Sequence, residues 1–393
     1  MSKAFIVFSF LIFNLGCINS QKPAIIITTD KPVGNKFYFN LVAEKDSTHV
    51  YVDFGDGKVK NFILGKTEKC IFGILGSGTI KVYGEGISAL ILGENLITQL
   101  DISGVPGLKT LSCGKNLITH LDVSANKDLT MLLCAQNQLT ELNVSNNKAL
   151  TTFSCSFNKL TALNVSANTL LDTLSFCDNK VPSLDLSKNK ALKYISCEMN
   201  LFTSLNVSKN TLLTDLSCFN LAIKSLDVSN NKELITLDCS SNQLTHLDVT
   251  NNKLLKKLTC SANQLAQLDV STNIALESLK FDDNEIGIID ISKNPLLTEL
   301  ECNRNKINLL DVSKNAALNW LKCASNNLLT LDVSKNPELT WLDCASNKLS
   351  ILNVSKNLEL TYLSCENNKL SFVDLSANKK LETIYKENQS ISQ

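Results

Sequence analysis

Cysteine is the residue type whose number and spacing most strongly suggest chemistry in this sequence. The chain has 393 residues and 14 cysteines. Eleven of them stand in one column, separated by 21 residues or by twice that number: Cys113, Cys134, Cys155, Cys197, Cys218, Cys239, Cys260, Cys302, Cys323, Cys344 and Cys365. Thiols in such a pattern can ligate a metal ion, form disulfides or fill a hydrophobic core.

The regularity of the column favours core filling. Thiols on stacked, in-register strands form a straight row, which cannot surround zinc tetrahedrally, and their parallel Cα–Cβ bonds suit a disulfide poorly. Phe176 and Phe281 replace cysteine at the two gaps in the column. We therefore expect buried thiols without a ligand. Cys177 is out of phase with the column and is expected to face outward, as a reactive or pairing thiol or as a tolerated substitution.

A second column holds Asp or Asn near the end of each repeat, as at Asp101, Asp122 and Asn143. Stacked carboxylates suggest a calcium ladder, but four of these positions are Asn, which carries no charge. We expect these side chains to cap backbone N–H groups within the turn. Paired carboxylates such as Glu299 and Glu301 are expected to lie on a solvated face.

The sequence offers no catalytic constellation. No two of the three histidines, His49, His120 and His246, lie near each other in the repeat array, and no G-x-S-x-G, P-loop or H-E-x-x-H motif occurs. We predict that the protein is not an enzyme and that it uses no cofactor and no metal ion.

Aromatic residues provide the strongest indication of a binding site. The position three residues before the core cysteine holds Trp320, Trp341 and Tyr362 in three successive repeats, and these include both tryptophans of the chain. This position is expected to face solvent, and exposed aromatic clusters dominate binding hot spots. We predict a ligand-binding strip made of these three residues together with the flanking Lys322, Asp343 and Glu366. The alternative is an aromatic ladder that only stabilises the sheet.

These positions depend on a 21-residue repeat that runs from about residue 87 without insertion or deletion. Apolar residues two apart, as in Leu132-x-Cys134, predict a short strand whose alternate side chains enter the core. Asn137 ends that strand, and its side chain is expected to bond backbone groups of its own and neighbouring turns. The second half of the repeat predicts another short extended segment. One repeat buries little alone, so the repeats must stack.

The pattern LxxLxCxxNxLxxLDVSxN resembles the leucine-rich repeat family, in its short 21-residue bacterial class that includes internalin-like surface proteins. The resemblance covers about three quarters of the chain. It implies an all-β-dominated solenoid with a parallel sheet and few or no regular helices, and surface-exposed binding roles such as adhesion. Leu221 replaces the strand-ending Asn, which predicts a locally irregular turn. Lys386 stands in the core column of the last turn, which predicts a frayed cap.

Glycine usage predicts a domain boundary, because 14 of the 15 glycines precede residue 115. We expect a small antiparallel β domain at 21–86 that caps the solenoid, a solenoid of about 14 turns at 87–389, and a tail at 390–393. The segment Val52-Asp-Phe-Gly-Asp-Gly57 resembles a signature of PKD-like β-sandwich modules.

Residues 1–20 resemble an export signal, with Lys3 before a short apolar run. Gly16-Cys17 resembles the end of a lipobox, which would make Cys17 a lipid anchor, whereas cleavage after Ser20 would release the protein. Both routes predict an exported protein, secreted or on the outer cell surface, with no other membrane attachment. The 38 basic and 38 acidic side chains leave no positive excess for nucleic acid.

Together these features predict an exported binding protein that recognises a protein on a host or neighbouring cell. A glycan is the alternative ligand, since flat aromatic side chains also stack on sugar rings. A structural spacer without a specific ligand is the third possibility.

Overall fold

The computed structural model describes residues 22–386 and the backbone of 390–392. The predicted export signal, including Cys17, lies outside the described residues. The chain divides into two compact units, one ending at Ala191 and the other beginning at Leu192. In the described part of the chain all regular structure is β, as the repeat predicts.

The described residues of the first unit form twelve strands, which are long at the start of the unit and three residues long after residue 108. Their bounds are β1 Ile25–Thr29, β2 Lys36–Ala43, β3 Thr48–Asp53, β4 Val59–Leu64, β5 Lys69–Ile74, β6 Thr79–Tyr83, β7 Ile87–Ile91, β8 Ile97–Asp101, β9 Thr110–Ser112, β10 Met131–Leu133, β11 Thr152–Ser154 and β12 Thr173–Ser175.

The second unit continues the three-residue pattern through twelve further strands. Their bounds are β13 Tyr194–Ser196, β14 Asp215–Ser217, β15 Thr236–Asp238, β16 Lys257–Thr259, β17 Ser278–Lys280, β18 Glu299–Glu301, β19 Trp320–Lys322, β20 Trp341–Asp343, β21 Tyr362–Ser364, β22 Phe372–Asp374, β23 Thr383–Tyr385 and β24 Ser390–Ser392.

The start of the first unit is the antiparallel β region that the sequence predicts. One sheet has the strand order β4-β3-β6-β1-β8, and β2 pairs antiparallel with both β5 and β7. Alternate residues of β2, such as Phe37 and Phe39, are buried because a strand sends successive side chains to opposite faces. In the turn after β3, the Asp53 carboxylate accepts the N–H groups of Gly55 (2.8 Å) and Gly57 (3.1 Å).

Strand β7 joins this region to the first turns of the repeat. It pairs antiparallel with β2 and parallel with β9, while β8 pairs antiparallel with β1. The hairpin of β2 and β5 therefore covers the edge that β7 would otherwise expose, and a covered edge cannot recruit another chain.

Each 21-residue repeat forms one turn of a parallel β-solenoid. In the first unit, strands β9 to β12 pair with one another in chain order. In the second unit, strands β13 to β21 also pair in chain order, and β21 then pairs with β23. The register joins equivalent residues of successive repeats, such as Leu132 and Phe153. This confirms the predicted fold.

The cysteine column lies inside the turns, and every member is at most 1% exposed. Burial raises the pKa of Cys113 to about 12 and that of Cys344 well above its usual value. The prediction that these residues fill the core is confirmed.

The prediction for Cys177 is wrong, because this side chain is buried, with 8% exposure. The inward and outward alternation ends with strand β12 at Ser175. Asp178 then takes a left-handed conformation (φ 50°), so the alternation of the strand does not extend to Cys177, whose N–H donates to the Ser156 hydroxyl (3.1 Å).

Asparagine side chains connect successive turns at the end of each strand. The Asn137 amide donates to the carbonyl oxygens of Cys113 (3.0 Å) and Cys134 (3.1 Å), and its oxygen accepts the N–H of Ile118 (3.0 Å). These bonds satisfy buried backbone groups of two turns at once, which confirms the predicted role of this column.

Side chains also order the second half of the repeat. Asn147 donates to the carbonyl oxygens of Val123 (2.9 Å) and Asn126 (2.8 Å), and Asn143 accepts the N–H of Ser145 (3.0 Å). The predicted capping role of the Asp and Asn column is thus confirmed. Within the described residues, this half of the repeat forms a strand only in β8 and β22.

The two predicted departures from regularity are confirmed. Around Leu221, both Asn220 (φ 56°) and Ala222 (φ 60°) are left-handed, whereas the turn around Asn242 has this conformation only at Ser241. At the last turn Lys386 is exposed, and Ile384, which corresponds to buried Leu363, is 37% exposed.

Candidate functional site

The three predicted aromatic residues occupy equivalent positions on adjacent strands of the second unit. Trp320, Trp341 and Tyr362 begin β19, β20 and β21 and pair with one another in register. The middle residue of each strand, such as Leu342, is fully buried. Since side chains alternate along a strand, the aromatic residues lie on the outer face of the sheet, as predicted, where they are half-buried. We call these three residues the aromatic strip.

The rings of the aromatic strip stack face to face. The ring centroids of Trp320 and Trp341 are 4.3 Å apart with planes at 18°, and those of Trp341 and Tyr362 are 3.6 Å apart with planes at 6°. Neighbouring strands lie about 4.8 Å apart, which brings equivalent rings into contact. Tyr385 follows in a tilted orientation, with its centroid 5.8 Å from that of Tyr362. The inner faces are thus covered by neighbouring rings, and edges form the outer surface.

The stack leaves two polar atoms without partners. The indole nitrogens of Trp320 and Trp341 are buried and have no hydrogen-bond acceptor. A buried donor that lacks an acceptor costs about 1–3 kcal/mol. The stabilisation of the sheet by ring stacking is therefore partly offset at these two turns.

A network of ion pairs lies beside Trp320. Lys280 contacts Glu299 (2.7 Å) and Glu301 (3.3 Å), and Lys322 contacts Glu301 (3.5 Å). The Lys322 ammonium also lies 5.0 Å from the centroid of the Trp320 ring. The expectation that Glu299 and Glu301 are simply solvated is wrong, since both are half-buried and paired with lysine.

Two carboxylates lie beside the other end of the strip. Asp343 accepts the N–H of Ala345 (3.2 Å), and Glu366 accepts the hydroxyl of Ser364 (2.9 Å). Burial raises the pKa of Asp343, and the neighbouring Glu366 raises it further. Neither carboxylate has a lysine, arginine or histidine partner within 4.0 Å among the residues that the structure describes.

The structure therefore brings all six predicted site residues onto one face of β19 to β21 and the turn after β21. It adds Lys280, Glu299 and Glu301, which sequence reasoning did not assign to the site. A signal was available, because Lys280 and Glu301 occupy the same column as Lys322, one residue before the core position.

Among the residues that the structure describes, the other polar groups form no comparable site. The imidazole of His120 and the carboxylate of Glu141 are 3.9 Å apart, and both are exposed. Within residues 22–386, no cluster of three or more His, Cys, Asp and Glu residues is placed to hold a metal ion. That part of the chain also has no helix long and apolar enough to cross a membrane.

Comparison with known proteins places this architecture among bacterial repeat proteins. No protein-family model and no curated protein matches the sequence. Among solved structures, it resembles the functional domain of InlJ from Listeria monocytogenes, which includes a cysteine ladder. The two are 34% identical, with a TM-score of 0.77, over 81% of this chain and 72% of that one.

Two further solved structures share the fold. One is the leucine-rich repeat protein LIC12759 of Leptospira interrogans, with 24% identity and a TM-score of 0.60, over 74% of this chain and 75% of that one. The other is an internalin, inlF, of Listeria monocytogenes, with 20% identity and a TM-score of 0.62, over 77% of this chain and 87% of that one.

Proposed function

This chain belongs to the internalin-like family of bacterial leucine-rich repeat proteins that contain a cysteine ladder, and from that premise we propose that it binds another protein through the aromatic strip. We propose further that it is an exported protein, secreted or held at the outer cell surface, whose partner lies on a host or neighbouring cell. The solenoid presents a rigid sheet face, so little conformational entropy is lost when a partner binds.

The observation that carries this proposal is the contrast between neighbouring turns with the same core. Three other turns of this unit also form three-residue strands, but there the column of the aromatic strip contains Asp215, Thr236 and Lys257. The fold therefore does not require aromatic residues in this column. Clusters of Trp and Tyr are typical of binding hot spots, and the two indole donors without acceptors argue against a purely stabilising ladder.

A protein partner fits the strip better than a glycan. A sugar ring packs its C–H groups against an open aromatic face, but the rings of the strip cover one another at 3.6–4.3 Å. The outer face of Trp320 lies beside the Lys322 ammonium. Ring edges flanked by charged groups suit the mixed apolar and polar surface of a protein.

We propose no catalytic role and no cofactor, in keeping with a family of recognition proteins. The 21–86 module and the 87–389 solenoid remain proposed boundaries, and lipidation at Cys17 remains a prediction. Mass spectrometry of the mature amino terminus tests it, because a lipidated Cys17 and a free Gln21 differ in mass and sequence.

The proposal is tested by probing an array of purified extracellular proteins and a glycan array with the full chain and two variants. Trp341→Ala interrupts the strip, and Tyr194→Ala removes an isolated aromatic residue from the same column. We expect the wild type and Tyr194→Ala to bind the same proteins and Trp341→Ala to lose them. Loss confined to the glycan array, or full binding by Trp341→Ala, would overturn the proposal.

A further inference from the structure

The two ends of the aromatic strip differ in how their carboxylates are neutralised. At the Trp320 end, Lys280 and Lys322 neutralise Glu299 and Glu301 at 2.7–3.5 Å. Lys322 also lies over the Trp320 ring. The carboxylates at this end need no further cation, because each lysine of the network is already paired with a carboxylate.

At the end formed by Trp341 and Tyr362, no lysine, arginine or histidine of the described residues lies within 4.0 Å of either carboxylate. Asp343 and Glu366 are half-buried, and Ser364, the in-register neighbour of Asp343, donates its hydroxyl to Glu366; the Glu366 charge raises the pKa of Asp343. Lys322 pairs in register with Asp343 and lowers the pKa of that carboxyl, but its ammonium contacts the carboxylate of Glu301. Two partly desolvated like charges repel each other strongly, because a low local dielectric screens them weakly.

The hydrogen-bond donors beside Asp343 and Glu366 do not neutralise the negative charge of the two carboxylates. Ser364 is buried at 3% exposure, and its hydroxyl donates to Glu366. The same hydroxyl is also a hydrogen-bond partner of Asp343, but a hydroxyl has one hydrogen, so it cannot serve both carboxylates at once. The Ala345 N–H reaches only one oxygen of Asp343. The remaining carboxylate oxygens are available to a donor that carries a positive charge.

We propose that the protein partner inserts an arginine side chain beside Trp341 and Tyr362, where its guanidinium group pairs with Asp343 and Glu366. This inference rests on the proposed function. The guanidinium group has five donors in a planar fork and is weakly hydrated, so it can bond two carboxylates and lie along aromatic edges. In this contact the arginine of the partner would take the role that Lys322 has beside Glu301 and Trp320.

The proposal predicts a preference that synthetic peptides can measure. The probes are labelled extended peptides that are identical except for one central residue, which is arginine, lysine, citrulline or glutamate. Fluorescence anisotropy gives the Kd of each peptide for the full chain. We expect the arginine peptide to bind at least about tenfold more tightly than the citrulline peptide, which is nearly isosteric but uncharged. Its Kd should rise with salt because screening weakens the ion pairs.

Paired variants locate the cation. The double variant Asp343→Asn/Glu366→Gln removes the two charges and should weaken the arginine peptide to the affinity of the citrulline peptide. The control Glu233→Gln/Glu338→Gln removes the same charge from exposed carboxylates of the same unit and should leave the Kd unchanged. Circular dichroism melting curves verify that both variants fold.

The outcomes separate this inference from the proposed function. If arginine and citrulline peptides bind equally, and Trp341→Ala abolishes both, the arginine site is wrong and recognition by the strip stands. If Trp341→Ala changes nothing, or if the arginine peptide does not bind at millimolar concentration, the inference is overturned. Sensitivity of the arginine peptide to the control variant would also overturn it, because the attraction would then come from overall charge.

Discussion

Two groups of turns in the second unit share one interior and differ on the outer sheet face. The turns of β14 to β16 bury Leu216, Cys218 and their equivalents, and the turns of β19 to β21 bury Leu321, Cys323 and theirs in the same way. On the outer face the first group has Asp, Thr and Lys where the second has Trp, Trp and Tyr.

Under the proposed function, this contrast assigns folding and recognition to different columns of the repeat. Inward columns and the Asn ladders must fill the core and satisfy backbone groups, so every turn needs the same residue types there. Residues in outward columns neither fill the core nor bond buried backbone groups, so they can differ from turn to turn. Substitutions in inward columns should therefore change stability, whereas substitutions in the strip should change binding.

The largest expected effect concerns the shared interior and comes at alkaline pH. Ten buried thiols have a raised pKa because burial disfavours the thiolate. Unfolding releases their protons, so the stability they contribute is present below the ordinary pKa of about 9 and is lost above it. Above about pH 9, each buried thiol lowers the free energy of unfolding by about 1.4 kcal/mol for every pH unit. The sum is on the order of the whole stability of a protein.

Urea unfolding followed by circular dichroism between pH 7 and 10.5 measures this loss. We expect the midpoint to collapse between pH 9 and 10.5. Cys344→Ala should flatten the decline, and Cys70→Ala, at an exposed position, should leave it unchanged. A midpoint that is constant up to pH 10.5 would show that the thiols are not held in a dry interior.

The next effect concerns the Asn ladder beneath the strip. Asn347 donates to the carbonyl oxygens of Cys323 (3.0 Å) and Cys344 (3.1 Å) and accepts the N–H of Leu328 (3.0 Å). Asn347→Ala leaves buried backbone groups unsatisfied and should lower the free energy of unfolding by about 3 kcal/mol. Asn319→Ala, at an exposed side chain, should cost less than about 0.5 kcal/mol. Equal costs for the two variants would contradict the assigned role of the ladder.

Interrupting the strip should have a smaller effect on stability. Trp341→Ala removes two stacking contacts, which are worth about 0.5–1.5 kcal/mol each, but it also removes an indole donor that lacks an acceptor. The two effects partly cancel, so we expect a net loss of about 1 kcal/mol in the free energy of unfolding measured in urea. A loss above about 3 kcal/mol would favour a stabilising ladder over a binding strip.

The smallest effect is expected in the Asp column of the second half of the repeat. Hydrogen bonds from Ser313 lower the pKa of Asp311, so its contribution to stability is present above its ordinary pKa and is lost as the pH falls. Asp311→Asn keeps an acceptor for the Ser313 N–H (2.9 Å) and should change stability at pH 7 by less than about 0.5 kcal/mol. Melting temperatures from pH 7 to 3 should decline less in this variant. An unchanged acid profile would contradict the assignment.

The sequence was sufficient for the interior and for the outward direction of the strip, because both follow from strict periodicity. Buried Cys344, the bonds of Asn137 and the side of the sheet that carries Trp341 were all predicted. The burial of Cys177 was not, because this residue lies beyond the end of β12 and next to the left-handed Asp178, where alternation along a strand no longer applies.

The pairing of charges beside the strip also required coordinates. Lys280 reaches Glu299 and Glu301 of the next turn, and contacts between long side chains depend on rotamers that a repeat pattern does not specify. The same holds for the face-to-face stack of Trp341 and Tyr362, which places ring edges rather than ring faces at the outer surface.

Tryptophan fluorescence tests the central claim most directly, because both tryptophans of the chain lie in the strip. The measurement is acrylamide quenching of the full chain, with and without a saturating amount of a protein partner identified on the array. If the partner covers the aromatic strip, it should reduce the quenching constant severalfold. A partner that saturates the protein while quenching stays unchanged would show that recognition occurs elsewhere.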